Sequence, residues 1–351
     1  MQSIAIVGGG VAGLGAAYSL RDRAANVTLF ERDDDIGGRA ATRHRDGCAY
    51  DYGANYLKDG DSRVTELVRG PLSDGLVEVD GPVWTFDADG EVSPGRDADE
   101  HKWTYEDGIA TLAVRLCDAA DPTVRTEATV ESLKRTNDGW VVWTSDGSAD
   151  GERAGRVRNG AFDAVVLTPT APNTADVLAA AEWDHPVCER IREAVAAVPY
   201  RTIISVALHY PFSVDVPHYA LVNTDREHEV GWLSREECKP GHVPGGESLL
   251  VVQMAPDWSA SRYGDEGDGI AADAAEHASE LLDDDRLAEP DWHDIGEWRY
   301  ALPDDGVADG TVERARDHDL YLAGDWVAGD GRLHSALVSG IETGELLGQG
   351  G

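Results

Sequence analysis

The sequence predicts an α/β protein in which one domain with a parallel sheet is interrupted by a second, α+β domain built on a mixed or antiparallel sheet. Two observations support this fold class. A strand, a glycine-rich turn, a helix and a second strand follow one another within residues 3–30, which is the pattern of a βαβ unit. A buried strand and a helix return at residues 320–347, so we expect both chain ends to contribute to one domain.

The remaining elements follow from the periodicity of apolar residues. The predicted strands cover residues 3–7, 27–30, 162–167, 202–209, 248–254 and 320–323. The predicted helices cover residues 12–23, 109–119, 173–181, 187–198, 269–282 and 335–347. Residues 124–145 alternate around the turn Asn137-Asp138-Gly139 and predict a β-meander, whereas residues 60–104 predict turns with short strands and residues 146–160 a polar loop. We therefore assign residues 1–60, 105–172 and 310–351 to one discontinuous domain, and residues 61–104 and 173–309 to the inserted domain.

The charge balance is strongly acidic. Asp and Glu total 66 against 30 Lys and Arg, which gives a formal net charge of −36. The acids are scattered in short runs, such as residues 33–35 and 283–285, and they predict a solvated acidic shell of the kind found in proteins from a high-salt cytoplasm. Such a surface repels nucleic acids and anionic membranes, so we expect neither as a partner. The sequence has no uncharged apolar run of about eighteen residues that would predict a transmembrane helix.

The cysteines lie far apart in the sequence. Cys48, Cys117, Cys188 and Cys238 form no Cys-x-x-Cys pair, so neither a redox pair nor a metal site is predicted. Isolated cysteines fit a reducing compartment. The apolar N-terminus is interrupted by glycines and has no basic leader, so it predicts a strand rather than a signal peptide, and we expect a cytoplasmic protein.

A Gly-x-Gly-x-x-Gly pattern lies between the first strand and the first helix. Gly8, Gly10 and Gly13 would allow a tight turn, a close approach of a pyrophosphate, and close packing of helix on strand. The N-terminus of that helix offers free N–H groups to an anion. Glu31 ends the second strand, where a carboxylate can accept hydrogen bonds from ribose hydroxyls. A purely structural glycine turn beside a surface Glu is the alternative, and the combined strand, helix and acid disfavour it. This Rossmann-like pattern alone fits both NAD and FAD.

The residues after the second strand favour FAD. Glu31 and Arg32 lead into Gly37, Gly38 and Arg39. Two glycines suit a second backbone approach to the diphosphate, and the arginine would neutralise its charge.

The C-terminal segment adds a second indication. The strand at 320–323 ends in Gly324 and Asp325, and a carboxylate there can hold ribityl or ribose hydroxyls. Ser335 and Ala336 then open a helix whose N-terminus would favour the negative charge that develops on the flavin pyrimidine edge during reduction.

These motifs together resemble the flavin amine oxidase superfamily and, within it, the renalase-like group of FAD oxidoreductases. Residues 51–56 (Asp-Tyr-Gly-Ala-Asn-Tyr), 256–259 (Pro-Asp-Trp-Ser) and 298–301 (Trp-Arg-Tyr-Ala) resemble segments of that group, and the likeness covers essentially the whole chain. One departure is residues 333–336, Leu-His-Ser-Ala, where the group more usually has Val-Glu-Gly-Ala. The resemblance implies a Rossmann-like (GR2-type) FAD-binding domain with an inserted substrate domain. The resulting candidate FAD contacts are Gly8, Gly10, Gly13, Glu31, Arg32, Gly37, Gly38, Arg39, Gly53, Ala54, Gly324, Asp325, Ser335 and Ala336.

The resemblance also implies a reaction. Renalase-like enzymes oxidise wrongly reduced dihydronicotinamide dinucleotides, with transfer of a hydride to flavin N5 and reoxidation by dioxygen to hydrogen peroxide. An amine oxidase is the first alternative, although Lys239, in a Lys-Pro-Gly loop, is poorly placed to act as the lysine that several of those enzymes hold near N5. A desaturase is a second alternative, and a flavin-binding protein without catalytic activity is a third.

Aromatic and basic residues of the inserted domain are candidate substrate contacts. Aromatic faces can stack on a nicotinamide, and arginine can bind its phosphates. The candidates are Trp258, Trp298, Arg299, Tyr300 and, beside the flavin, His334. Ordinary aromatic packing and a structural histidine are the alternatives. No Cys or His lies in a recognisable flavin-linkage motif, so we expect FAD to bind non-covalently.

Overall fold

The computed structural model describes residues 1–59, 61–95, 101–145 and 156–349. The chain folds into two compact units. The first unit comprises Met1–Gly38, Leu112–Tyr200 and Pro303–Gly351, and the second unit comprises Arg39–Thr111 and Arg201–Leu302. Compared with the predicted domains, residues 39–60 and 105–111 belong to the second unit, and residues 173–200 and 303–309 belong to the first.

The strands, in chain order, are β1 Gln2–Val7, β2 Ala25–Phe30, β3 Thr42–Arg45, β4 Cys48–Asp51, β5 Leu57–Lys58, β6 Leu76–Glu78, β7 Val83–Phe86, β8 Val92–Ser93, β9 Lys102–Tyr105, β10 Thr123–Arg125, β11 Val130–Thr136, β12 Gly139–Ser145, β13 Arg156–Phe162, β14 Ala164–Leu167, β15 Tyr200–Tyr210, β16 Ala220–Asn223, β17 Val230–Arg235, β18 Ser248–Met254, β19 Trp292–Pro303 and β20 Leu320–Leu322. The α-helices are α1 Val11–Leu20, α2 Ser62–Arg69, α3 Thr111–Ala120, α4 Ala171–Ala179, α5 Pro186–Ala196, α6 Pro256–Arg262, α7 Gly267–Leu282, α8 Thr311–Arg316, α9 Asp325–Ala328 and α10 Leu333–Gln349.

A five-stranded parallel sheet organises the first unit. Its strand order is β10-β2-β1-β14-β20, so strands from the two chain ends and from the middle of the sequence lie side by side. Three antiparallel strands, β11, β12 and β13, form a second sheet. An apolar core that includes Trp140, Trp326 and residues of α4 and α5 fills this unit, which explains why residues 173–200 belong to it. The predicted Rossmann-like fold is confirmed.

Helix α1 is apolar on nearly all sides, as expected of a helix covered on both faces. It packs against α10 through glycines, because a Cβ on Gly340 would lie 2.0 Å from the Ala12 carbonyl oxygen and one on Gly344 would lie 2.5 Å from that of Ala16. The pairing of Ala12 with Gly340 and of Ala16 with Gly344 makes the two helices parallel. Their N-terminal ends therefore lie at the same edge of the parallel sheet.

A seven-stranded mixed sheet organises the second unit, in the order β19-β15-β18-β17-β16-β7-β8. Strands β15, β18, β17 and β16 pair antiparallel, whereas β16 and β7 are parallel. One face of the sheet packs on α7 around Val206, Leu250 and Ile270. Cys48 and Tyr50 of β4 pack with Leu249 and Trp292 on the other face, which explains why residues 39–60 belong to this unit. The predicted mixed or antiparallel sheet is confirmed.

Three local predictions were wrong or incomplete. Strand β10 pairs with β2 in the parallel sheet and is not part of the predicted meander, which is confirmed for β11 and β12. Helix α2 lies in the segment that was expected to hold only turns and short strands. Within the predicted loop 146–160, residues 156–160 are part of β13 and residues 146–155 lie outside the described residues. Within the described part of the chain, no helix is long and apolar enough to cross a membrane.

Candidate functional site

The first glycine turn has the geometry of a dinucleotide-binding loop. Gly8 has φ +100°, a conformation that L side chains rarely adopt, and a Cβ there would lie 2.6 Å from Thr168 Oγ1. A Cβ on Gly13 would lie 2.2 Å from the Gly8 carbonyl oxygen, so helix α1 could not start this close to β1 with any larger residue. Gly10 is the N-cap of α1 and provides no side-chain cap, which leaves the N–H groups of the first turn for an anion.

Glu31 holds this turn in place. Its side chain is 7% exposed, and its two carboxylate oxygens accept hydrogen bonds from the backbone N–H groups of Gly9 (2.6 Å) and Asp33 (3.0 Å). A carboxylate has about four lone-pair sites, so Glu31 retains acceptor capacity for ribose hydroxyls. Arg32, in contrast, is exposed and lies 3.5 Å from Asp33.

The second glycine segment lies beside the first. Gly37 donates to the carbonyl of Gly9 at 2.9 Å, and a Cβ on Gly38 would lie 3.5 Å from the Gly10 Cα atom. Gly37 (φ +119°) and Gly38 (φ +58°) both have positive φ. Two stretches of backbone without side chains are therefore brought together, which fits close approach of a diphosphate.

Arg39, Gly53 and Ala54 lie together in the second unit. The Arg39 carbonyl accepts from the N–H of Ala54 at 2.9 Å, and a Cβ on Gly53 would lie 2.2 Å from the same carbonyl oxygen. The Arg39 guanidinium donates to the Ala301 carbonyl at 2.8 Å. The requirement for glycine at residue 53 is thus explained by backbone packing, and the phosphate role of Arg39 stays a prediction.

The C-terminal candidates lie near the N-terminus of α10. Gly324 donates to Ser339 Oγ at 3.0 Å, and Asp325, which is 4% exposed, accepts from the N–H of Trp326. Ser335 Oγ donates to Asp330 at 2.7 Å. The backbone N–H of Ala336 already donates to the carbonyl of Arg332 at 3.0 Å. The His334 ring lies 3.9 Å from the Asp330 carboxylate.

The predicted substrate-contact residues lie in different surroundings in the structure. Trp298 stacks on Tyr52 with ring centroids 5.1 Å apart, and its Nε1 donates to the Tyr52 carbonyl at 3.0 Å. Trp258 instead packs against the core between α7 and the large sheet, with Arg262 over its ring. Arg299 is exposed, and its guanidinium lies 6.0 Å from the centroids of the rings of Tyr263 and Tyr300.

Lys239 lies in a buried ion cluster that the sequence did not predict. Its Nζ lies 2.8 Å from Asp51 and 2.9 Å from Glu236, and all three side chains are fully buried. Burial alone would lower the pKa of Lys239, but the two carboxylates outweigh it and raise this pKa. Burial would raise the pKa of Asp51, but the charges of Lys239 and His242 outweigh it and lower this pKa. Nothing in the sequence around Glu236 and His242 signalled this role, because the partner Asp51 is distant in the chain.

The geometry of the two glycine segments at the start of α1 is that of a dinucleotide-binding fold. The chain belongs to the family of flavin-containing amine oxidoreductases, whose family model matches residues 80–346. The model of an NAD(P)-binding Rossmann-like domain matches residues 6–70. The protein is thus an oxidoreductase of a flavin-dependent family.

Local sequence similarity extends to several plant and archaeal enzymes. The chain is 42% identical over 67 residues to protoporphyrinogen oxidase 2 (chloroplastic/mitochondrial) of Arabidopsis thaliana, a match that covers 19% of this chain and 13% of that protein. It is 42% identical over 69 residues to polyamine oxidase 5 of Oryza sativa subsp. japonica, covering 19% of this chain and 14% of that protein. It is 40% identical over 55 residues to carotenoid 3,4-desaturase of Haloarcula japonica, covering 16% and 11%. The matches span only about an eighth of these relatives.

Similarity to solved structures covers nearly the whole chain and concerns the fold. Cyclohexylamine oxidase from Brevibacterium oxydans IH-35A superposes with a TM-score of 0.74 and 15% identity, covering 99% of both chains. Wild-type putrescine oxidase bound to putrescine superposes with a TM-score of 0.68 and 12% identity, covering 99% of this chain and 98% of that one.

Proposed function

We propose that this protein is an FAD-dependent oxidase of the renalase type, which takes a hydride from a dihydronicotinamide dinucleotide. A bound flavin would supply a hydride acceptor at N5 and a route for the two electrons to dioxygen, which with two protons would give hydrogen peroxide. The proposal that FAD is the cofactor rests on the contact between the two glycine segments, Gly8–Gly10 and Gly37–Gly38, at the start of α1.

The residues of the first unit would bind and orient the cofactor. Glu31 would accept from the ribose hydroxyls, and the uncapped start of α1 would face the diphosphate. Asp325 and the first turn of α10, with Ser335 and Ala336, would bind the remainder of the molecule. We propose that binding is non-covalent. Acid precipitation of the yellow protein should then leave intact FAD in the supernatant, and flavin retained in the pellet would contradict this.

The choice of electron donor is supported by the state of Lys239. Several amine oxidases of this family have a lysine near the flavin. In this protein Lys239 instead forms ion pairs with Asp51 and Glu236 in the interior of the second unit. A dihydronicotinamide is already a hydride donor, so it needs no strong general base. The resemblance of residues 51–56, 256–259 and 298–301 to renalase-like segments supports the same donor.

Anaerobic titration tests the proposal. Isomeric dihydronicotinamide dinucleotides should bleach the flavin absorbance stoichiometrically, and admission of dioxygen should restore it with formation of peroxide. Slow reduction by these donors together with fast reduction by an alkylamine or polyamine would establish the amine oxidase alternative, which the local similarity to polyamine oxidase favours. A flavin that no donor reduces would indicate a binding protein without catalytic activity.

A further inference from the structure

One face of the large sheet in the second unit carries a row of polar and aromatic side chains. Successive side chains of a strand point to opposite faces. Ile204 and Val206 of β15 lie in the core against α7, so Ser205 between them points to the other face. Ser205 is directly opposite Gln253 of β18, and Gln253 is opposite Trp232 of β17. The row therefore crosses three adjacent strands.

Three aromatic rings lie at the end of this row. The ring centroids of Tyr56, Tyr219 and Trp232 are 6.0–6.2 Å apart in all three pairs. The interplanar angles of 69°, 45° and 69° place the rings at steep angles to one another rather than in a stack. Tyr219 is fully buried. Gln253 Nε2 donates to the Gly53 carbonyl at 2.9 Å, which ties the row to the segment that carries Asn55 and Tyr56.

Four polar atoms of this patch are buried and have no hydrogen-bond partner among the described residues. They are Asn55 Oδ1, Ser205 Oγ, Tyr219 Oη and Trp232 Nε1. An unpaired buried polar group costs about 1–3 kcal/mol, and the large majority of buried side-chain polar atoms in folded proteins have a hydrogen-bond partner. The neighbouring Asp51 shows the usual outcome, because it accepts from Thr104 and from the N–H of Ile109 in addition to Lys239. Several unpaired atoms in one patch indicate that something else binds them.

The chemistry of the four atoms selects the ligand. Trp232 Nε1 can only donate, and burial raises the pKa of Tyr219, which keeps its hydroxyl protonated and able to donate. Asn55 Oδ1 can only accept, and Ser205 can do either. These four side chains are uncharged, although the charges of Lys239, Glu236 and Asp51 act on the Tyr219 hydroxyl. The three rings offer flat apolar surfaces. A neutral planar ring that bears both a carbonyl and an N–H₂ group matches this arrangement, whereas an alkylammonium, which only donates, would leave the Trp232 N–H unpaired.

We propose that the patch formed by Asn55, Tyr56, Ser205, Tyr219 and Trp232 is a binding subsite for a planar ring that carries a primary carboxamide. The carboxamide oxygen accepts from Tyr219 and Trp232, and its N–H₂ group donates to Asn55. This inference rests on the proposed function, because a dihydronicotinamide is such a ring, and it names the residues that recognise the donor.

Equilibrium binding to the FAD-loaded protein tests the subsite, with free nicotinamide as the probe and pyridine as the same ring without the carboxamide. Nicotinamide should bind at least tenfold more tightly than pyridine. Tyr219→Phe and Trp232→Phe keep a ring but remove one donor each, so each should weaken nicotinamide binding by about 5- to 100-fold and pyridine binding by clearly less. Tyr210→Phe is the matched control, because Tyr210 is also fully buried in the same sheet but donates to the Leu287 carbonyl on the other face.

The thermal midpoint of each variant gives a second readout. Nicotinamide should raise the midpoint of the wild type and of Tyr210→Phe, and should not raise that of the double variant of Tyr219 and Trp232. The proposal is overturned if nicotinamide and pyridine bind equally, if neither binds, or if cyclohexylamine binds more tightly than nicotinamide and depends on the same residues.

The redox assay separates this proposal from the proposed function. If nicotinamide binding depends on Tyr219 and Trp232 but no dihydronicotinamide reduces the flavin, the binding subsite is supported and the proposed reaction is refuted. If dihydronicotinamides reduce the flavin equally well in wild type and in both variants, and nicotinamide binding is unchanged in the variants, the reaction stands and the subsite falls.

Discussion

Replacing Lys239 by Met should strongly destabilise the second unit. The substitution keeps most of the side-chain volume but leaves Asp51 and Glu236 as neighbouring, fully buried carboxylates without the ammonium that lies within 2.9 Å of both. Removal of one partner from a buried ion pair costs about 3–5 kcal/mol, because the remaining charge is neither solvated nor neutralised. For a unit of this size the loss corresponds to a fall of about 6–20 °C in the thermal midpoint.

Lys134 provides a matched control. It forms an ion pair with Glu182 at 2.6 Å, but the two side chains are 45% and 50% exposed. Exposed pairs contribute about 0–1 kcal/mol, so Lys134→Met should be nearly neutral. Urea unfolding followed by tryptophan fluorescence measures both variants. Equal, small losses for the two would refute the view that burial makes the Lys239 cluster energetically important.

The pH dependence of the stability provides a further test of the Lys239 cluster. The lowered pKa of Asp51 gives stability that is present above the ordinary carboxyl pKa and is lost as the pH falls through the lowered value. The raised pKa of Lys239 gives stability that is present below the ordinary lysine value of 10.5 and is lost as the pH rises through the raised value. In Lys239→Met, burial would raise the pKa of Asp51, which no longer lies beside an ammonium, so the cost of the substitution should fall as the pH is lowered and Asp51 takes up a proton. Adding Asp51→Asn, which removes one uncompensated charge, should recover part of the loss.

Glu31→Ala should weaken FAD binding about tenfold to hundredfold, because ribose hydroxyls lose a charged acceptor, and an unchanged dissociation constant in equilibrium dialysis would exclude Glu31 from the site. Arg299→Ala should raise the KM for a dinucleotide donor while kcat and flavin content stay near wild type, and loss of flavin with unchanged KM would place Arg299 at the cofactor instead. Burial and the charge of Arg235 lower the pKa of His218 to about 4 from 6.5, so stability should be lost as the pH falls from about 6.5 towards 4. His218→Gln should remove about 2–3 kcal/mol of that acid-induced loss in urea unfolding at pH 7 and pH 4.5. With a net charge of −36, the protein should unfold at a lower temperature in dilute buffer than in molar salt, and equal midpoints would refute the acidic-shell interpretation.

The parts of the fold that depend on local patterns could be predicted from the sequence. The βαβ unit at the N-terminus and the return of the chain at residues 320–347 follow from apolar runs and from glycines whose positions are dictated by backbone geometry. The site residues of this unit are close to one another because they lie in the turns after these strands. A strand–turn–helix pattern predicts that arrangement directly.

The parts that depend on distant pairing could not be predicted. Strand β10 is three residues long, and its place beside β2 follows from sheet pairing that no local pattern shows. Helix α2 carries Val64, Leu67 and Val68 on its buried side. It is only eight residues long, so its apolar residues do not repeat often enough to distinguish a helix from a turn in the sequence. The subsite around Trp232 depends on the register shift between Val230 and Trp232, because a shift of one residue decides which face a side chain reaches.

The contributions of the acidic surface and of the buried Lys239 cluster to stability can be measured separately, because salt affects only the exposed charges. Molar salt screens exposed charges over a Debye length of about 3 Å, but it does not enter a cluster in which Asp51, Glu236 and Lys239 are fully buried. Molar salt should therefore stabilise wild type and Lys239→Met by the same amount and leave the difference between them unchanged. If salt rescued Lys239→Met preferentially, the cluster would be accessible to ions in solution. The excess of acid over base would then destabilise the interior of the second unit as well as its surface.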